Sequence, residues 1–422
     1  MYQTIPILPG VTLRCIRDSR FKQGALSIQF LRRMDRREAA RNALLPAILL
    51  RGCREYPDIR RITQRLDDLY GASVGTLVRR IGDYQTTGFY CGFIEDRFAL
   101  GSDEILAPMI QFLGQLLLHP IVEDGGFDRE FVESEKRNLI AAIESQRSDK
   151  RAYAAGRLLE IMCQTDSFGI PRLGETAHVQ EIDSRALYAY YQTVLTESPV
   201  ELFYVGSAEA EQVADLIRPL FAAIPRQAVT LPAQTPYCPS EPCHITEEQD
   251  IAQGKLSMGF FTAITNRDSR FAAMQVMNAI FGSGMTSKLF SQVREKMSLC
   301  YAIGSSYYSS KGIVTVNAGI DFTCRDAAQA AILEQLAACQ AGQITEGELN
   351  AAKESILSSL RSVYDSPGAM EAFFGVSALS GLGRTLEEYA QQVRAVTAED
   401  VAAAAATVQL HSTFFLKGDD HA

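Results

Sequence analysis

Five histidines, at 119, 178, 244, 411 and 421, are the first residues to test for metal chemistry. Two histidines four apart on a helix hold zinc between them. No two of these five share a helical turn, so the chain carries no helical two-histidine zinc motif. Nine cysteines stand at 15, 53, 91, 163, 238, 243, 300, 324 and 339, with scattered spacing and no Cys-x-x-Cys. Several lie in apolar patterns, as Cys91 does in Phe89-Tyr90-Cys91-Gly92-Phe93. They read as reduced core residues of a cytoplasmic protein, not as a disulfide framework. Gly282-Ser283-Gly284 lacks the spacing and the Lys-Ser/Thr of a phosphate loop. It reads as a close-packing turn before a helix on which Met285 and Leu289 face inward.

The elements that would position such groups must come from 422 residues, enough for two or three domains with their own cores. The net charge is -9 with both signs interspersed, which disfavours nucleic acid or an anionic membrane as partner. No apolar run approaches the ~20 residues of a membrane helix. Met1-Tyr2-Gln3-Thr4-Ile5-Pro6 lacks the basic region and apolar core of a signal peptide, and a cytoplasmic location is expected.

Alternation predicts two strands within 11–34 and a hairpin over 71–93 around Gly82-Asp83. Helices are expected at 37–52, 58–69, 103–118, 127–147, 151–162, 184–194 and 209–223, and a strand at 200–205. Pro46 is awkward inside the first helix unless it lies in the first turn, with Asn42 as N-cap. Pro225, Pro232, Pro236, Pro239 and Pro242 then mark a linker. Beyond it come a strand at 256–262, helices at 270–281 and 285–296, and a hairpin over 299–308 and 313–320. Helices at 325–341 and 345–363 follow, the latter opened by a Thr345-x-x-Glu348 capping box, and a strand at 413–416. The halves read as a repeat of one unit.

Several fragments in this order resemble the pitrilysin-like (insulinase, M16) zinc peptidase family. They are Leu69-Tyr70-Gly71-Ala72, Asp166-x-Phe168-Gly169-x-Pro171-x-x-Gly174 and Tyr204-Val205-Gly206. The most specific is Phe281-Gly282-Ser283-Gly284 through Leu289-Phe290 to Val293-Arg294-Glu295-Lys296 and Tyr301. The resemblance implies an α+β fold of two tandem homologous domains, each a mixed sheet covered by helices. The boundaries would be 1–224, a linker 225–245, and 246–422. Two such chains often close around a peptide chamber.

The family's His-x-x-Glu-His helix, anchored on Gly52, would place its first histidine at Ala43, its glutamate at Pro46 and its second histidine at Ala47. Glu135 matches the first glutamate of the family's later helix, and the zinc-glutamate position holds Ala142. Glu144 lies about 200° around the helix from it and is no substitute. Neither alanine nor proline binds zinc or moves a proton, so no metal is expected in this chain. Arg294 and Tyr301 match the arginine and tyrosine that reach the zinc site from the second domain in the family. There the arginine bonds a substrate carbonyl and the tyrosine steadies an oxyanion.

The resemblance therefore implies a non-catalytic subunit that pairs with a His-x-x-Glu-His-bearing partner, which holds the zinc. Within the family, it is to the motif-less member of a bacterial two-gene pair associated with elongation factor P modification. The bland readings are a surface arginine, a strand tyrosine packed in a sheet and a solvated or ion-paired Glu135. A homodimer, a scaffold or peptide-binding protein without chemistry, and a peptidase with a relocated metal site are the alternatives.

Overall fold

The computed structural model of the protein describes residues 2–227 and 230–418, and His421 lies outside them. The chain forms two units. The first comprises Met1–Glu144, Ile170–Ala233 and Val363–Val376; the second comprises Ser145–Gly169, Gln234–Ser362 and Ser377–Ala422. One crossing, from Ala233 to Gln234, lies within the proline-rich stretch, and four others do not. Residues 230–243 form neither helix nor strand.

The strands of the main sheet in the first unit, in chain order, are β1 (Tyr2–Leu8), β2 (Val11–Arg17), β3 (Gln23–Arg33), β4 (Ser73–Ile81), β5 (Tyr84–Ile94) and β6 (Val200–Gly206), beside a separate two-stranded pair, Val122–Glu123 with Gly126–Phe127. Their order across the sheet is β1-β2-β6-β3-β5-β4. The second unit holds β7 (His244–Glu248), β8 (Gly254–Phe261), β9 (Ala302–Tyr308), β10 (Ile313–Ile320) and β11 (Gln409–Lys417), in the order β9-β10-β8-β11-β7. Set β2-β6-β3-β5-β4 against β7-β11-β8-β10-β9 and the two sheets agree in order and direction. The pairs β2/β6 and β7/β11 are parallel, and every other neighbouring pair is antiparallel. The fold is mixed α+β, and the repeat read from the sequence is a repeat of topology.

The first sheet's centre is buried on both faces: every residue of β3 from Gly24 to Leu31 is inaccessible. Two of these, Ser27 and Gln29, are polar and need partners. Glu371 supplies them from the helix Pro367–Ser380, whose residues up to Val376 belong to the first unit. Its fully buried carboxylate accepts from Ser27 Oγ (2.8 Å), Gln29 Nε2 (3.0 Å) and Arg79 Nη1 and Nη2 (3.0 and 2.8 Å). Four donors satisfy the buried charge, which would otherwise be costly.

In the second unit, the helix Lys150–Met162 packs on the sheet through Leu158 and Met162. A Cβ at Gly259 would lie 2.6 Å from Met162 Sδ, so glycine on β8 admits the helix. The fully buried Lys311 pairs with Asp166 at 2.9 Å behind the turn between β9 and β10. All nine cysteines are free thiols. No helix among the described residues is long and apolar enough to cross a membrane.

Two local expectations fail. The first helix runs Ala39–Leu49 with Glu38 at its N-cap, so Asn42 is an interior residue and not the cap. β1 was not expected, because its residues are largely exposed at a sheet edge and show no apolar alternation.

Candidate functional site

Helix Ala39–Leu49 carries Ala43, Pro46 and Ala47. Pro46 lies in its interior, so the carbonyl four residues earlier, that of Asn42, loses its helical N–H. Thr87 on β5 replaces it, its hydroxyl donating to Asn42 O at 2.7 Å. Asn42's side chain is tied as well, donating to Gln85 Oε1 (3.0 Å) and accepting from Tyr190 OH (2.9 Å). Ala43 and Pro46 are buried in the core and Ala47 is half-buried. Zinc requires nitrogen, sulfur or oxygen donors. The side chains at 43, 46 and 47 offer only carbon, so the residues present do not fit the metal. No three histidines, cysteines or acids gather into a metal-binding group among the described residues.

Glu135 and Ala142 lie on the helix Arg129–Ser148. Glu135 is buried, faces Arg51 Nη1 at 3.5 Å and accepts from Asn138 Nδ2 at 3.1 Å. The Arg51 guanidinium also sits over the Phe131 ring at 5.4 Å. Glu135 is thus an ion-paired residue. Ala142 and Glu144 are exposed.

Arg294 and Tyr301 are brought together. The segment expected as an α-helix over 285–296 is a π-helix over Leu289–Lys296. Its wide turns show in Met297 N–H donating to Gln292 O (2.9 Å) and Leu299 N–H donating to Val293 O (3.1 Å). Ser298 then reverses the chain at φ 53°. The wide helix and sharp exit return the chain so that Arg294 Nε donates to Tyr301 O at 3.0 Å. The guanidinium stacks on the Phe290 ring at 4.5 Å, and Nη1 lies 3.4 Å from Glu295 Oε1. The Tyr301 side chain is 66% exposed. The guanidinium is thus held through the Tyr301 backbone, and the phenol of the same residue is exposed.

The turn before this helix packs as read, with one correction. A Cβ at Gly282 would lie 2.6 Å from Leu289 Cδ1 and 2.7 Å from Ser305 Oγ, so only glycine fits. Leu289 is fully buried, but Met285 is 78% exposed and does not face inward, because residues 285–287 precede the helix as a turn. Phe290 and Arg294 stand at the i,i+4 spacing of helix neighbours, a signal available in the sequence that was not used.

The thiolate is the nucleophile, and three buried thiols are held away from it. Burial pushes Cys15 up to about 12, and Cys300 and Cys339 up to about 11, in Cys300 against the pull of Arg294's charge. The buried His411 is held by Ser412 Oγ (2.7 Å) and Ser240 O (2.8 Å).

Residues 181–356 match the family model described as "Peptidase M16 inactive domain". A Bacillus subtilis (strain 168) protein described as "Probable inactive metalloprotease YmfF" is 30% identical over 413 residues, covering 98% of this chain and 97% of that protein. The crystal structure of a conserved protein from Enterococcus faecalis V583 superposes with a TM-score of 0.93 at 29% identity, covering 100% of this chain and 99% of that one. That of a peptidase M16 inactive domain from Pseudomonas fluorescens gives 0.80 at 19% identity, with coverage of 100% and 99%.

Proposed function

The chain belongs to the M16 peptidase family, as a member without the family's metal ligands, and on that premise we propose that it is the non-catalytic subunit of a paired peptidase. Its partner would carry His-x-x-Glu-His and the zinc. This chain would contribute half of a peptide chamber and the Arg294–Tyr301 pair, in the cytoplasm.

One observation carries the reading. The positions that would bind metal hold carbon-only side chains, while Arg294 and Tyr301 are tied to each other at 3.0 Å with the phenol exposed. In this reading the stacked guanidinium and the exposed phenol are what the chain retains for the partner's site. The guanidinium would bond the carbonyl of the bond to be cut, and the hydroxyl would donate to the oxyanion formed on it.

The test is to purify the tagged chain from its own host and identify what accompanies it by mass spectrometry. A near-equimolar His-x-x-Glu-His subunit is expected. Arg294→Ala should then lower the complex's peptide cleavage by about 10–100-fold while assembly is retained. A chain that emerges alone, or a variant complex with unchanged turnover, would leave a scaffold or peptide-binding role instead.

A further inference from the structure

Where β8, β9 and β10 meet the start of the helix Lys150–Met162, the second unit has a recess of about 50 Å³. Arg151, Gln253, Lys255, Ser257, Asn317 and Gly319 line its polar side. The sheet register builds it: Lys255 lies opposite Gly319 and Ser257 opposite Asn317, so these residues share one face. Ser257 Oγ donates to Asn317 Oδ1 at 2.7 Å, which fixes both side chains. The Gln253 side chain packs over Gly319, where a Cβ would lie 2.9 Å from Gln253 Oε1.

Two cations share this recess. The Lys255 ammonium donates to the neutral Gln253 Oε1, and among the described residues neither it nor Arg151 forms an ion pair. Burial pushes the Lys255 pKa down, and Arg151's charge adds to this. The one carboxylate acting on Lys255, that of Asp149, caps the helix by accepting from the N–H groups of Arg151 and Ala152. Lys255 is half-buried and Arg151 is exposed, and an anion bound between them would relieve their repulsion. The recess exceeds the ~10–15 Å³ that one water needs and has room for a group of a few heavy atoms. Its aliphatic walls are Ala154 and Ala302, while Leu256 and Ala318 alternate to the sheet's other face and border it only with backbone. Such walls suit the carbon next to a carboxylate better than a free, fully hydrated phosphate. Ala302 also follows Tyr301 directly in the chain.

We propose that this recess is a carboxylate subsite, in which Arg151 and Lys255 hold an acidic group of a peptide. It deepens the peptide-chamber reading and rests on a peptide being the substrate class. The carboxylate comes from the peptide's C-terminus or from an acidic side chain, and the test separates the two.

The isolated full-length chain is titrated with three dye-labelled Ala/Gly pentapeptides. One ends in a free carboxylate, one is its C-terminal amide, and one is the amide with a single Glu. At least one acidic peptide should bind about tenfold more tightly than the plain amide, as charge-assisted hydrogen bonds provide. Which one does so names the source. Arg151→Gln and Lys255→Gln should each abolish that preference, and Lys255→Arg should retain it, with circular dichroism confirming that all remain folded. Equal binding of the three, binding of none, or a preference untouched by the variants overturns the proposal. So does inorganic phosphate that displaces the acidic peptide better than acetate does. The assay contains no partner subunit, so its outcome is independent of whether Arg294 serves a shared site.

Discussion

Thr87 serves the helix carbonyl that Pro46 cannot. Its hydroxyl donates to Asn42 O at 2.7 Å, inside the core, where an unmet carbonyl costs about 1–3 kcal/mol. Thr87→Val should therefore destabilise the first unit by that amount. Pro46→Ala restores a helical N–H to the same carbonyl, so the cost of Thr87→Val should shrink by about 1 kcal/mol or more in that background. Chemical denaturation of the four proteins closes the cycle. Equal costs in both backgrounds would mean that Thr87 is not the surrogate donor.

Glu371 brings a buried charge to the first sheet and depends on Arg79. Removing one partner of a buried pair leaves the other uncompensated, at about 3–5 kcal/mol. Arg79→Met should lower stability toward the bottom of that range, since the arginine side chain is 28% exposed. Glu371→Gln, which keeps the shape and an acceptor, should cost less. Thermal melts of both variants check the order; a reversed order would place the stabilisation in packing and not in the pair.

These two cases mark what the sequence makes legible. The hairpin of β4 and β5 follows from alternation and a Gly82-Asp83 turn, because local geometry decides it. Glu371's destination does not follow, because nothing local in Pro367–Ser380 says that its first ten residues complete the other unit's core. Thr87's duty is likewise set by Pro46, 41 positions earlier, which lacks the N–H that the Asn42 carbonyl would have used. Arg294 and Tyr301 were legible through spacing within a family pattern. The π-helix was not, since i→i−5 bonding has no repeat of its own in the sequence.

Near that π-helix, Glu348 caps Thr345 and pairs with Lys288 at 2.8 Å. Burial alone would raise its pKa, but the Lys288 ammonium and the Thr345 N–H outweigh it and hold the carboxyl below the usual value. The folded state then binds this proton more weakly than the unfolded state. The pair's stabilisation is complete above the ordinary glutamate value of about 4.3 and is lost as pH falls through the lower folded value. Glu348→Gln keeps the capping box but not the charge. The melting-temperature gap between wild type and variant should hold from about pH 7 to 5 and close below about 4.3. A gap that widens on acidification would contradict the lowered pKa.

Tyr301 separates a shared site from a scaffold. Its backbone carbonyl holds Arg294, while its hydroxyl sits on a largely exposed ring. Tyr301→Phe therefore keeps the clamp and deletes only the phenolic donor. An exposed hydroxyl with a structural role would change stability within about 0.5 kcal/mol and activity not at all. A hydroxyl that donates to a developing oxyanion would lower the complex's kcat by about 10²–10³ with KM little changed, because the bond forms only in the transition state. The measurement is steady-state cleavage by the assembled pair, beside the melting temperature of the chain alone. A fall in kcat with an unchanged melting temperature assigns Tyr301 to the chemistry. A kcat equal to wild type removes it, and then Arg294's clamp is architecture.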